Sequence, residues 1–133
     1  MVELVIVLVI IGLVSLVAIR EFRLYLDRLA VRNAVGDAAQ VIAQARDEAL
    51  ARHVVVSVRI DTAAATLALR ARGLPPAFHA LGHAHGVSLA SARDSVAFDA
   101  RGLGIGAANF TLVVRRGRAA DSLIVSRLGR ARF

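Results

Sequence analysis

The sequence predicts an α+β fold: one long N-terminal helix, with a membrane half and an amphipathic half, packed on a C-terminal antiparallel β domain. Three observations predict it. Leu4 to Ile19 (LVIVLVIIGLVSLVAI) carries no charge before Arg20, which is the pattern of a membrane-type helix. Val31, Val35, Ala38, Ile42, Ala45 and Ala49 then recur at alternating steps of four and three, giving one apolar stripe on a 3.6-residue period. Beyond His53 the chain turns to short β-branched runs punctuated by Gly, Pro and Asp, the signals of strands and turns.

No proline interrupts Met1 to Leu74. Gly12 and Gly36 cost a little helicity without breaking the helix, so one continuous helix is expected to end near His53. Arg28, Arg32, Asp37, Gln44, Asp47, Glu48 and Arg52 lie largely off the stripe. The chain therefore divides into an apolar helix segment (1–19), an amphipathic helix half (20–53) and a β-rich domain (54–133). Strands are expected at Val54–Ile60 and, across an Ala-rich turn, at Thr66–Arg70. Further strands are expected at Val87–Leu89, Ser95–Asp99, Phe110–Val114 and Ser122–Ser126. Gly73 to Gly86 holds both prolines and reads as a loop. Gly102, Gly104 and Gly106 mark another loop ahead of Phe110.

The chain of 133 residues leaves enough length after the apolar segment for one small domain. Its net charge is +7, from 17 basic residues, all arginine, against 10 acidic ones. Such a balance suits nucleic acid or anionic lipid. There are no cysteines, which excludes thiol catalysis. Arg20, Arg23, Arg28 and Arg32 follow the apolar run and nothing basic precedes it. Taken literally, the positive-inside rule would then put the β domain in the cytoplasm, although Glu21 and Asp27 dilute the cluster and a basic leader would reverse the orientation.

Glu3 is the strongest functional signal. An acid at the mouth of an unbroken apolar helix is costly and wants a cationic partner, and nothing basic lies within a turn of it. Val2-Glu3-Leu4 followed by the apolar run resembles the mature start of type IV pilin-like proteins. Ala45-Arg46-Asp47-Glu48-Ala49-Leu50-Ala51-Arg52, Val96-Ala97-Phe98-Asp99-Ala100-Arg101-Gly102 and the closing Leu123-Ile124-Val125-Ser126-Arg127-Leu128-Gly129-Arg130 are similar to motifs of the GspH/FimT group, in the same order. The proline that many pilins carry near the end of the apolar run is absent; Arg20-Glu21 stands there.

The resemblance implies a minor pseudopilin of a type II secretion system or a minor pilin of a type IV pilus. It implies a basic leader, a cleavage-site Gly and an aromatic residue ahead of Val2, with Met1 a late start at a Leu codon. It also implies cleavage and N-methylation by a prepilin peptidase. An inner-membrane anchor with the domain in the periplasm would follow, and then assembly with other pseudopilins or pilins on an inner-membrane platform. Glu3 would offset the terminal amine of a neighbouring copy.

Arg115, Arg116, Arg118, Arg127, Arg130 and Arg132 crowd the C-terminus against one acid, Asp121. Gly129-Arg130-Ala131-Arg132 resembles the ending linked to DNA binding in FimT-type minor pilins, which makes Arg127, Gly129, Arg130 and Arg132 candidate DNA-binding residues. Arginines on a flexible end can clamp phosphates without reading sequence. The Ala45–Arg52 motif reads as packing, with Glu48–Arg52 an i,i+4 pair of about 0.3–0.5 kcal/mol. His79, His83 and His85 have a spacing that could hold a metal, but no cysteine or well-placed carboxylate joins them. Gly102-x-Gly104-x-Gly106 lacks the strand-to-helix setting of a dinucleotide site. No Ser/His/Asp set has a supporting motif. No catalytic, cofactor or metal site is expected.

Overall fold

The computed structural model describes residues 1–106 and 109–133. One helix, α1 (Val2–Arg52), runs unbroken for 51 residues. It ends where His53 turns left-handed, at φ 54°. The expected stripe is buried in full, and Ala34 and Val41, each one position before a residue of the stripe, are buried with it. Burial starts with half-buried Leu24, Asp27 and Ala30 and leaves Met1 to Arg23 exposed all round.

After α1 come β1 (Val56–Asp61), β2 (Thr66–Ala71), β3 (Ala77–Ala80), a short α2 (Leu81–His85), β4 (Ser88–Ser91), β5 (Ser95–Phe98), β6 (Gly104–Ile105), β7 (Phe110–Arg116), β8 (Ala119–Val125) and β9 (Ala131–Arg132). They form two sheets of order β3-β2-β1-β5-β6 and β4-β7-β8-β9. Every pairing is antiparallel. α1 packs on strands of both sheets, so one helix face closes the inner faces of the two.

Local chemistry explains the turns. The Asp61 carboxylate accepts the N–H of Ala63 and of Ala64, each at 3.0 Å, and this Asx turn folds β1 back onto β2. Gly117 stands first in the two-residue loop between β7 and β8, with φ 54°, the conformation a II′ hairpin asks of that position. Strand alternation then sorts side chains. Leu112, Val114, Leu123 and Val125 are buried, while Thr111, Arg115, Ala120 and Ile124 face out.

Two expectations need correction. The stretch Gly73–Gly86 is not all loop. Once past Pro75-Pro76, which cannot donate to a ladder, the chain adds β3 as an edge strand on β2, and Leu81, 3% exposed, pins α2 to the core. The glycine-marked stretch ahead of Phe110 is not all loop either, because Gly104-Ile105 pairs with β5. The part of that stretch at 107–108 lies outside the described residues.

The stripe is built from small residues: Ala34, Ala38, Ala45 and Ala49 are fully buried. They let α1 approach the sheets closely, so added volume has nowhere to go. Ala38→Leu is expected to destabilise the domain by about 1–3 kcal/mol, measured by denaturant unfolding of the detergent-solubilised chain.

Candidate functional site

Glu3 lies in the first turn of α1, where the helix dipole favours an acid. Leu4 to Ile19 around it is exposed, and Glu3 has no ion-pair partner among the described residues. The most apolar eighteen-residue window of α1 has a mean hydropathy of 3.1 and is 0% buried. This half of the helix is a surface that the chain itself does not cover.

The three sequence motifs meet at one place on the domain. Asp99 accepts the N–H of Arg101 and of Leu103, each at 2.9 Å. Its own N–H bonds the Leu103 carbonyl at 2.9 Å. The Leu103 N–H holds the Asp99 carboxyl below the usual carboxylate value, against desolvation, with help from the N–H and guanidinium of Arg101. That turn sets Gly102 at φ 72° against Leu50 of α1. The Gly104 N–H bonds the Arg127 carbonyl at 3.0 Å, tying the turn to the β8–β9 loop. Gly129, at φ 73°, sits so close that a Cβ there would lie 2.8 Å from Arg46 and 3.2 Å from Phe98. Arg46 and Leu50, Phe98 to Gly102, and Arg127 to Gly129 therefore form one packed junction. The motifs lie far apart in the sequence and meet only in the fold; the Asp-x-x-Gly spacing is the signal for the turn.

The candidate DNA-binding end is a paired strand rather than an unpaired tail. Ala131 and Arg132 pair with Val125 and Ile124 as β9. The hairpin loop before them is closed by Ser126 N–H to the Arg130 carbonyl at 2.8 Å and by the Arg130 N–H to Ser126 Oγ at 3.2 Å. Arg127, Arg130 and Arg132 remain exposed along this edge, while Gly129 is turned into the junction. Arg132 shares the outward sheet face with Arg115. Arg116 points the other way: it pairs with Asp27 of α1 at 3.0 Å and donates to the His85 carbonyl at 2.6 Å.

The histidines are spread out rather than gathered. His79 is on β3, and His83 and His85 are on α2, where His85 Nε2 meets Asp37 of α1 at 2.6 Å. His85 thus latches α2 to the helix. Among the described residues no group of three or more His, Cys, Asp or Glu is placed to hold a metal. Glu48 and Arg52 make the expected i,i+4 pair.

The sequence profile described as Type II transport protein GspH matches residues 34–129. The chain belongs to the GspH family. Its matched region starts inside the buried stripe and ends in the junction, so the GspH signature is carried by the β domain and the half of α1 that packs on it. Two crystal structures of the type IV minor pilin FimU of Pseudomonas aeruginosa share the GspH fold seen here. One has TM-score 0.66 at 18% identity, covering 79% of this chain and 88% of that one. The other has TM-score 0.62 at 16% identity, covering 76% and 90%. No curated protein sequence matches significantly. GspH-family chains with this fold are structural, pilin-like proteins.

Gly129→Ala is expected to destabilise the domain by about 1–3 kcal/mol, from the left-handed φ together with the crowding. Gly106→Ala, at φ 73° with no contact within 4 Å of an added Cβ among the described residues, carries the backbone cost alone there and should lose less in the same unfolding titration. Because the folded Asp99 carboxyl lies below its unfolded value, its contribution is present above the ordinary carboxylate pKa of about 3.9. It is lost as pH falls through the folded value. Amide exchange at Arg101 and Leu103, corrected for intrinsic rate, should therefore speed up below about pH 4, and Asp99→Ala should show the faster exchange already at neutral pH.

Proposed function

We propose that this chain is a minor pseudopilin of a type II secretion system, a structural subunit of the pseudopilus that helps move folded proteins across the outer membrane. One observation carries the reading: an unbroken 51-residue helix whose apolar half lies outside a GspH-family domain. An apolar rod in that position needs lipid before assembly and neighbouring helices after it. The chain is then a single-pass inner-membrane protein with its domain in the periplasm. A prepilin peptidase cuts and N-methylates it. The assembly platform lifts it into a filament of other pseudopilins, where Glu3 offsets a neighbour's terminal amine.

A second reading is a FimT-like minor pilin that binds DNA for uptake. It is supported by the exposed Arg127, Arg130 and Arg132 along one sheet edge, where Gly129 shapes the loop that presents them. Phe98 beside the loop is fully buried and, among the described residues, Phe133 is the exposed aromatic at this end, so contact would run to phosphates rather than to stacked bases.

Photo-cross-linking at Leu8 in cells carrying the secretion machinery tests the first reading. Cross-links to other pseudopilins are expected. Glu3→Ala should abolish them while the chain still floats with membranes; cross-links indifferent to that change would remove Glu3 from assembly. Anisotropy of a DNA duplex with the detergent-solubilised chain tests the second. Binding whose salt slope falls by about 0.9 per lost phosphate contact in Arg130→Ala/Arg132→Ala would move the assignment to DNA uptake.

A further inference from the structure

The tip of the β7–β8 hairpin touches α1 at the point where the apolar helix enters the domain. Arg118 on that tip joins Arg20 and Arg23 of α1 around a hollow of about 370 Å³, with Leu16 and Ile19 forming its lower wall and Asp27 its upper edge. Asp27 is already engaged by Arg116 at 3.0 Å. Among the described residues none of the three arginines forms an ion pair. Three free cations above an apolar wall match one kind of ligand: a phosphate ester with a hydrocarbon tail. We propose that this hollow binds the headgroup of an anionic phospholipid, the arginines on its phosphate and Leu16 and Ile19 against the start of its acyl chain. The inference rests on the membrane-anchor reading above.

Its level on the helix agrees. Arg20, Phe22, Arg23 and Tyr25 stand within about 9 Å of Ile19 along the axis, at 1.5 Å per residue. That is close to the depth of a headgroup layer, roughly 5–8 Å per leaflet. Tyr25 is 60% exposed, and tyrosine rings gather at that interface. A second hollow just above, lined by Arg28, Arg32 and Arg118 with Asp121 and Phe133, extends the positive field that draws anionic lipid in. A duplex would meet the same cations but has no use for the apolar wall. The arginines that follow the apolar run thus act as headgroup clamps on the periplasmic leaflet and need not direct the domain to the cytoplasm.

The test reconstitutes the full chain in nanodiscs of mixed phosphatidylcholine and phosphatidylglycerol and counts the lipids retained on release by native mass spectrometry. Phosphatidylglycerol should be retained in preference. Each of Arg20→Gln, Arg23→Gln and Arg118→Gln should weaken that preference about fivefold. The triple Arg59→Gln/Arg70→Gln/Arg72→Gln, which loses three charges where each of those variants loses one and lies on the outer side of the other sheet or beside it, should leave it unchanged. Inorganic phosphate should not displace the lipid. Equal retention of both lipids, loss in the control triple, or displacement by phosphate overturns the site. Displacement by a DNA duplex whose binding falls in the same three variants would make the hollow a nucleic-acid surface and end the proposal. Failure of the chain to enter nanodiscs of either composition overturns the anchor reading itself, whereas entry without lipid preference overturns this inference alone.

Discussion

Everything in this molecule depends on a single stripe of α1 being shared between two sheets. The sheet of β1, β2 and β5 and the sheet of β7 and β8 each present an apolar face, and the stripe from Val31 to Ala49 closes both into one core. Burial of each Val, Leu, Ile or Phe side chain there is worth about 1.5–3 kcal/mol. The helix cannot leave without opening both sheets at once. Because α1 is continuous from Val2 to Arg52, with no proline inside it, this grip also sets the direction of the apolar half. The domain and the apolar rod are joined through one uninterrupted helix.

Most of the fold was legible in the sequence, and particular residues show why. The stripe was read from spacing alone because a long helix repeats its burial over many turns, which averages out single exceptions. The strands around Ile60, Leu112 and Leu123 show as β-branched runs, and the one around Leu67 as the hairpin partner across the Ala-rich turn. β3 and α2 were not, because what fixes them is distant in sequence: Leu81 drops into a core made by other elements, and His85 reaches Asp37 across 48 positions. β9 has two residues, too few for any period to show. Those two residues turn the arginine-rich end from a loose tail into a sheet edge.

The arginines show the same limit at the level of function. Arg115, Arg116, Arg118, Arg127, Arg130 and Arg132 read as one basic cluster. The fold divides them: alternation on β7 sends Arg115 outward and Arg116 onto Asp27, the II′ turn carries Arg118 to the mouth of the apolar helix, and only the β8–β9 edge keeps Arg127, Arg130 and Arg132 together. A count of charges near the C-terminus therefore overstates what any one ligand meets. An argument for DNA from this end has Arg127, Arg130 and Arg132 along the edge, with Arg115 on the same outward face as Arg132, and not all six arginines of the C-terminal stretch.

Gly129 bears on both readings at once. Its left-handed backbone and its contact with Arg46 and Phe98 make it a packing residue of the junction, needed whether or not Arg130 ever meets a phosphate. The Gly-Arg-x-Arg ending can thus be retained by folding alone, since the glycine closes the loop and the loop positions β9. A role in DNA binding has to be argued from Arg127, Arg130 and Arg132, whose side chains the fold leaves free, and not from the glycine between them.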